Sequence, residues 1–98
     1  MQTAQRLVKL FKDDAFRIQE LGRITATALR IFDALRARPI LNLKEVCRRT
    51  GISFPAAAKG MDAIIKLGVA RELTGRQRNR VFAYDQYLSI MNEGTEPL

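Results

Sequence analysis

The 98-residue sequence contains no histidine, no tryptophan and a single cysteine, Cys47. Without histidine or a second cysteine, the usual nucleophile and base pairs of catalysis are missing, and so is a His/Cys zinc site. We expect Cys47 to be a small core residue. Four carboxylates fall at expected helix-surface positions: Asp13, Asp14, Asp33 and Asp62. The sequence therefore predicts a chain that is not an enzyme and holds no metal or cofactor.

Long apolar runs and a signal-peptide pattern are also absent from the sequence. No stretch approaches the roughly 18 apolar residues that a membrane-crossing helix needs. The composition thus favours a cytoplasmic protein without a membrane partner.

Positive charge is present in excess, with a formal net charge of +7. Residues 23–51 carry +5 and residues 69–83 carry +3, whereas residues 84–98 carry −3. Arginine outnumbers lysine twelve to five, and its planar guanidinium suits bidentate contact with phosphate or carboxylate. An anionic partner is predicted for the basic segments.

The N-terminal third has helical periodicity over residues 3–21. Its apolar stripe consists of Ala4, Val8, Phe11, Ala15 and Ile18, and it is widened by Leu7, Leu10 and Leu21. Gly22 interrupts the pattern, and a second helical period runs from Ile24 to Leu35 before Pro39. The pattern fits either one kinked helix or two helices. We expect the stripe to fold back on the rest of the chain, with pairing to a second copy as the alternative.

Two short helices separated by a turn are predicted next. Asn42 is a candidate N-cap for a helix at Leu43–Thr50, with Glu45 in the capping-box position, and Gly51 ends that helix. Ser53 caps the following helix. Its predicted buried side is Ala57, Met61, Ile64 and Ile65. Its predicted outward side is Pro55, Ala56, Lys59, Gly60, Ala63 and Lys66.

This outward side is poor in the side chains that read base edges, since it has no arginine, asparagine or glutamine. Lys59 and Lys66 can contact phosphate, and Ser53 at the helix N-terminus is a weak phosphate site. We predict contact with the nucleic-acid backbone rather than sequence reading by this helix.

A basic hairpin follows, with strands at about 69–73 and 80–84. Its tip comprises Arg76, Gln77, Arg78 and Asn79, which are predicted to contact phosphates or a minor groove. The alternative is a solvated turn in which Arg80 pairs with Glu72 across the hairpin. A helical turn or two is expected at Gln86–Met91.

The predicted fold is mainly α with a small β-hairpin, of the α+β class: a winged helix-turn-helix preceded by an amphipathic helix. Residues 1–22 are interpreted as an interdomain or linker helix. Residues 23–91 form the winged-helix domain, and residues 92–98 a flexible acidic tail.

Three stretches resemble the C-terminal winged-helix region of Fic-family proteins: Arg38-Pro39, the GISFPAA entry at 51–57, and TGRQRNRVFAY at 74–84. The resemblance covers about Leu7 to Met91. It implies a bacterial parent protein, linked to cell filamentation, that transfers AMP from ATP to a protein hydroxyl. The family's catalytic HPFxxGNGRxxR sequence is absent here, so the resemblance implies the C-terminal accessory part of such a protein.

Three functional hypotheses remain open from the sequence. The first is a nucleic-acid-binding or regulatory module that contacts duplex DNA through phosphates. The second is a protein-interaction or dimerisation domain that docks on a Fic catalytic domain, on its target or on a second copy. The third is a stand-alone transcriptional regulator.

Overall fold

The computed structural model describes residues 2–75 and 79–95, which form a mainly helical domain with a small antiparallel sheet. Its elements, in chain order, are α1 (Gln2–Ile18), α2 (Thr25–Ala37), β1 (Ile40–Asn42), α3 (Leu43–Thr50), α4 (Phe54–Lys66), β2 (Arg71–Glu72), β3 (Val81–Ala83) and α5 (Asp85–Thr95). A short 3-10 turn at Gly22–Ile24 joins α1 to α2. The expected class, mainly α with a small β element, is confirmed.

The sheet contains a strand that the sequence did not predict. Its order is β1-β3-β2, so β3 pairs with β1 on one side and with β2 on the other. In the β1–β3 register Leu41 lies opposite Phe82, and both side chains are buried. A three-residue strand directly after Pro39 has too short a pattern for sequence periodicity to show it. The predicted hairpin is thus two strands of a three-stranded sheet.

Helix α2 lies at the centre of the core, where it contacts α1, α3 and α4. Its approach to α4 depends on Gly60, where a β-carbon would lie 2.5 Å from Ile31 Cδ1 and 3.0 Å from Thr27 Cγ2. The prediction that Gly60 faces outward is therefore wrong. Glycine suits this buried position because a β-carbon there would force the Ile31 side chain to move.

Helix α1 packs into the same core and contacts α2 and α5. It ends before Gly22, whose positive φ of 84° turns the chain, so α1 and α2 are two helices. Phe11 and Ile18 pack into the core, but Ala4 and Val8 of the predicted stripe are exposed. The inward face lies towards Leu10 and Leu21, which widened the predicted stripe, and it includes the carboxylate of Asp14, which is only 3% exposed.

Helix α5 runs antiparallel to α1 and is longer than predicted. It continues to Thr95, four residues past Met91 and into the segment interpreted as a tail. Arg6 near the start of α1 donates to Glu93 near the end of α5. The first part of the predicted tail is therefore helical and held against α1.

Across residues 2–75 and 79–95, none of the helices combines the length and the apolar character needed to cross a membrane.

Candidate nucleic-acid interface

The α3–turn–α4 unit is fixed by side-chain caps at the start of each helix. Asn42 Oδ1 accepts a hydrogen bond from Glu45 N at 2.8 Å, and Ser53 Oγ accepts one from Ala56 N at 3.3 Å. Gly51, at φ 76°, ends α3 in the left-handed conformation. Both predicted caps are confirmed, and three residues, 51–53, connect the two helices.

The exposed stripe of α4 follows helical spacing and carries all three charged residues of the helix. Its exposed members after the first residue are Pro55, Lys59, Asp62 and Lys66, while Ala56 and Ala63 are half-buried. The structure thus keeps the two predicted lysines on the outer surface. It adds a carboxylate between them, one helical turn from each, which would repel a phosphate backbone if it stood alone.

Arg80 lies over this carboxylate and joins the sheet to α4. Its guanidinium is 3.7 Å from Asp62 Oδ1 and 3.5 Å from Glu72 Oε1, and it lies 5.1 Å from the centre of the Phe82 ring. The predicted pair of Arg80 with Glu72 is confirmed. Its contact with Asp62 was not predicted, because the sequence gives no register between the hairpin and the helix. The arginine offsets the negative charge of Asp62 and makes α4 and the hairpin base one surface.

A cavity of about 110 Å³ lies where this surface meets the start of α3. Its lining consists of Asn42, Leu43, Lys44, Phe54, Asn79 and Arg80. Phe54, the first residue of α4, is 58% exposed. Asn79, one of the predicted site residues, reaches the cavity from a backbone with φ 53°.

Sequence reasoning missed Phe54 and Lys44. In the sequence, a phenylalanine directly after an N-cap looks like another core residue of the helix. Only its exposure in the structure distinguishes it from core residues. Lys44 is one of four charged residues in α3, and the sequence does not distinguish it from the others. The sequence did contain one indication that Phe54 is not a core residue, because it precedes the predicted buried series that begins at Ala57.

The predicted site residues fall into three groups. Ser53, Lys59 and Lys66 lie at the start or along the outer face of α4, and all three are exposed. Asn79 lines the cavity. The predicted hairpin-tip residues Arg76, Gln77 and Arg78 lie outside the described residues.

Ion pairing divides the cations of this region into two sets. Glu45 contacts Arg48 at 2.7 Å and Arg49 at 3.5 Å, and the hydrogen bond from Arg48 is the main cause of a lowered pKa of this carboxyl. These arginines are partly neutralised within α3. Among the described residues, Lys44, Lys59 and Lys66 have no carboxylate partner, so these lysines give the surface its uncompensated positive charge.

Comparison of the chain with family models, with curated proteins and with solved structures found no match.

Proposed function

We propose that the chain is a winged helix-turn-helix domain that binds duplex DNA mainly through its phosphate backbone. In this proposal α3 and α4 are the helix-turn-helix, α4 is the recognition helix, and β2 with β3 forms the wing. The observation that carries it is the contact of Arg80 with Asp62, which unites wing base and recognition helix in one surface. Around that contact, Lys44, Lys59 and Lys66 supply positive charge.

The expected strength and salt dependence follow from the number of free cations. Each phosphate neutralised by a lysine or arginine releases condensed counterions and adds about −0.9 to the slope of log affinity against log salt. Three lysines correspond to a slope of about −3, and contacts by Arg76 and Arg78 would make it steeper. Binding is therefore expected to weaken sharply with added salt.

Fluorescence anisotropy on a random-sequence duplex tests this proposal. The protein is titrated at two or more salt concentrations, together with a variant carrying Lys59→Ala and Lys66→Ala. The matched control carries Lys9→Ala and Lys12→Ala, which removes the same charge from exposed positions of α1. The α4 variant should bind all sequences more weakly with a shallower salt slope. The absence of binding at low salt, or an equal loss in both variants, overturns the proposal.

Protein docking on the outer face of α1 is a second candidate function. Val8 and Phe16 are 66% and 65% exposed there, and a groove of about 540 Å³ runs beside Lys12 and Phe16. Light scattering of the wild type and of Val8→Glu with Phe16→Glu tests for self-association. An unchanged monomer in both leaves dimerisation by this face without support. Phe11 is unsuitable for this test because its ring packs against Phe32 in the core.

Kinship with Fic-family proteins stays a prediction, and so does the role of a non-catalytic accessory module in an AMP-transferase. The reading frame upstream of Met1 tests it, because a Fic parent would contain HPFxxGNGR there. The alternative of a stand-alone regulator requires symmetric reading of two half-sites, and gel filtration with DNA of defined half-site spacing would show it.

A further inference from the structure

We infer that Phe54 contacts thymine 5-methyl groups in the major groove and gives this surface a preference for thymine-containing sites. The inference rests on the proposed function, since it assigns a sequence-reading role within the same interface. It begins from an apolar ring that is 58% exposed at the first residue of α4, at a cavity whose other lining residues, except for Leu43, carry charged or amide side chains.

The side chains around Phe54 indicate which group its ring would contact. A recognition helix places its N-terminal residues against base edges, and the methyl group of thymine is the apolar group that the major groove offers there. Lys44, which lines the cavity beside Phe54 and has no carboxylate partner among the described residues, is suited to a phosphate beside such a base. The positive charge beside Phe54 complements a negatively charged nucleic acid better than an apolar protein segment.

The position of Phe54 also distinguishes it from the other exposed phenylalanine. Phe16 lies on the outer face of α1, where its groove combines Lys12 and Arg17 with the carboxylate of Asp13, whereas the described lining of the cavity at Phe54 contains no carboxylate. Phe54 lies beside cations and amides and next to the stripe of Lys59 and Lys66. An apolar patch with a polar rim typically marks an interaction site, and here that rim is cationic.

Replacement of thymine by deoxyuridine tests the inference, because it removes only the methyl group and leaves charge and base pairing unchanged. The wild-type protein is titrated by anisotropy with an A·T-rich duplex and with its uracil counterpart. We expect about fourfold weaker binding for each methyl group that Phe54 covers, the equivalent of ~0.8 kcal/mol per buried carbon group.

Two variants assign the effect to one ring. Phe54→Ala should bind the thymine and uracil duplexes equally and keep the wild-type salt slope, because no charge is removed. Phe16→Ala, the same truncation at a similarly exposed position on α1, should keep the wild-type preference. Circular dichroism and thermal unfolding of each variant verify that the fold is retained.

The outcomes separate the inference from the proposed function. Salt-dependent binding with equal affinity for the two duplexes overturns the role of Phe54 and leaves phosphate binding intact. A thymine preference that survives in Phe54→Ala also overturns it, as does a preference lost equally in Phe16→Ala. Absence of any duplex binding at low salt overturns both proposals.

Discussion

Tyr84 donates its hydroxyl hydrogen to Asp14, with 2.6 Å between Oη and Oδ2, although 70 residues separate them in the chain. Both residues are buried, and the second carboxylate oxygen of Asp14 accepts from Arg17 Nη1 at 3.3 Å. Arg17 also donates to the carbonyl of Leu67 at the end of α4. This chain of hydrogen bonds connects the start of α5 to α1 and α1 to α4. The sequence-based placement of Asp14 on the surface is wrong.

Replacement of Tyr84 by phenylalanine should lower the free energy of unfolding by about 1.5–3 kcal/mol, the range for hydrogen bonds to charged groups. The loss arises because a buried carboxylate keeps its charge but loses a donor. Urea unfolding measures it. Tyr87→Phe is the matched control, since Tyr87 is half-buried and contacts Phe11 and Tyr84 through its ring. Equal losses in the two variants would show that the hydrogen bond to Asp14 adds nothing to the free energy of unfolding beyond the loss of a tyrosine hydroxyl.

Stability should fall at alkaline pH because of the same residue. Burial, and then the hydrogen bond and negative charge of Asp14, raise the pKa of Tyr84 above its ordinary value of 10.0. Since the folded state holds this proton more tightly than the unfolded state, the stabilisation is complete below pH 10 and decreases as pH rises above it. Urea unfolding between pH 8 and pH 11 should show this decrease in the wild type and a smaller one in Tyr84→Phe.

Ultraviolet titration gives an independent measurement, because the sequence has two tyrosines and no tryptophan. The difference in phenolate absorbance between the wild type and Tyr84→Phe isolates Tyr84. We expect that difference to appear only well above pH 10. A Tyr84 signal centred at pH 10 in the folded protein would contradict the buried bond.

Gly60→Ala should destabilise the domain by about 1 kcal/mol. Alanine gains about 1 kcal/mol of helix propensity over glycine, whereas overpacking of a core costs about 1–3 kcal/mol. The clash should dominate because Ile31, whose Cδ1 lies 2.5 Å from the new β-carbon, is fully buried. Chemical denaturation of the variant measures the loss.

A double-mutant cycle with Ile31→Val identifies the cause, since valine lacks the clashing carbon. Ile31→Val alone should cost about 0.5–1.5 kcal/mol, but in the Gly60→Ala background it should cost less or restore stability. Strict additivity of the two changes would contradict close packing between α2 and α4.

Asp62→Asn should strengthen DNA binding by about two- to fivefold at low salt. The change removes a negative charge from between Lys59 and Lys66 and releases Arg80 from one of its carboxylates. Exposed charge interactions contribute about 0.5–1 kcal/mol, which corresponds to that range. Asp13→Asn makes the same charge change on α1 and serves as the control in an anisotropy titration. Equal gains in both variants would indicate an effect of net charge alone.

The helices of this fold could be predicted because their signals are local. Helix capping and termination depend on residues close together in the sequence, so they can be predicted without knowing the rest of the chain. Examples are the N-caps Asn42 and Ser53 and the glycines that follow helices, Gly22 and Gly51. The spacing of apolar residues likewise located α2 and α4.

Features that depend on distant partners could not be predicted. The strand β1 exists because β3, some forty residues later, offers a second edge, and Asp14 is buried because Tyr84, just before α5, reaches it. Gly60 faces the core because of Ile31 on another helix. In the candidate site, Lys59 and Lys66 followed from helical spacing, whereas the roles of Phe54 and Arg80 depend on how the sheet packs on α4.

The antiparallel contact of α1 with α5 has a topological consequence. Arg6 and Glu93 lie in contact, so a short linker could join the end of α5 to the start of α1 and close the backbone into a ring. Such a ring could be reopened at the exposed Gly51 turn to give a circular permutant with the same core. The same geometry would allow the domain to be inserted into a surface loop of another protein, with both connections leaving from one side.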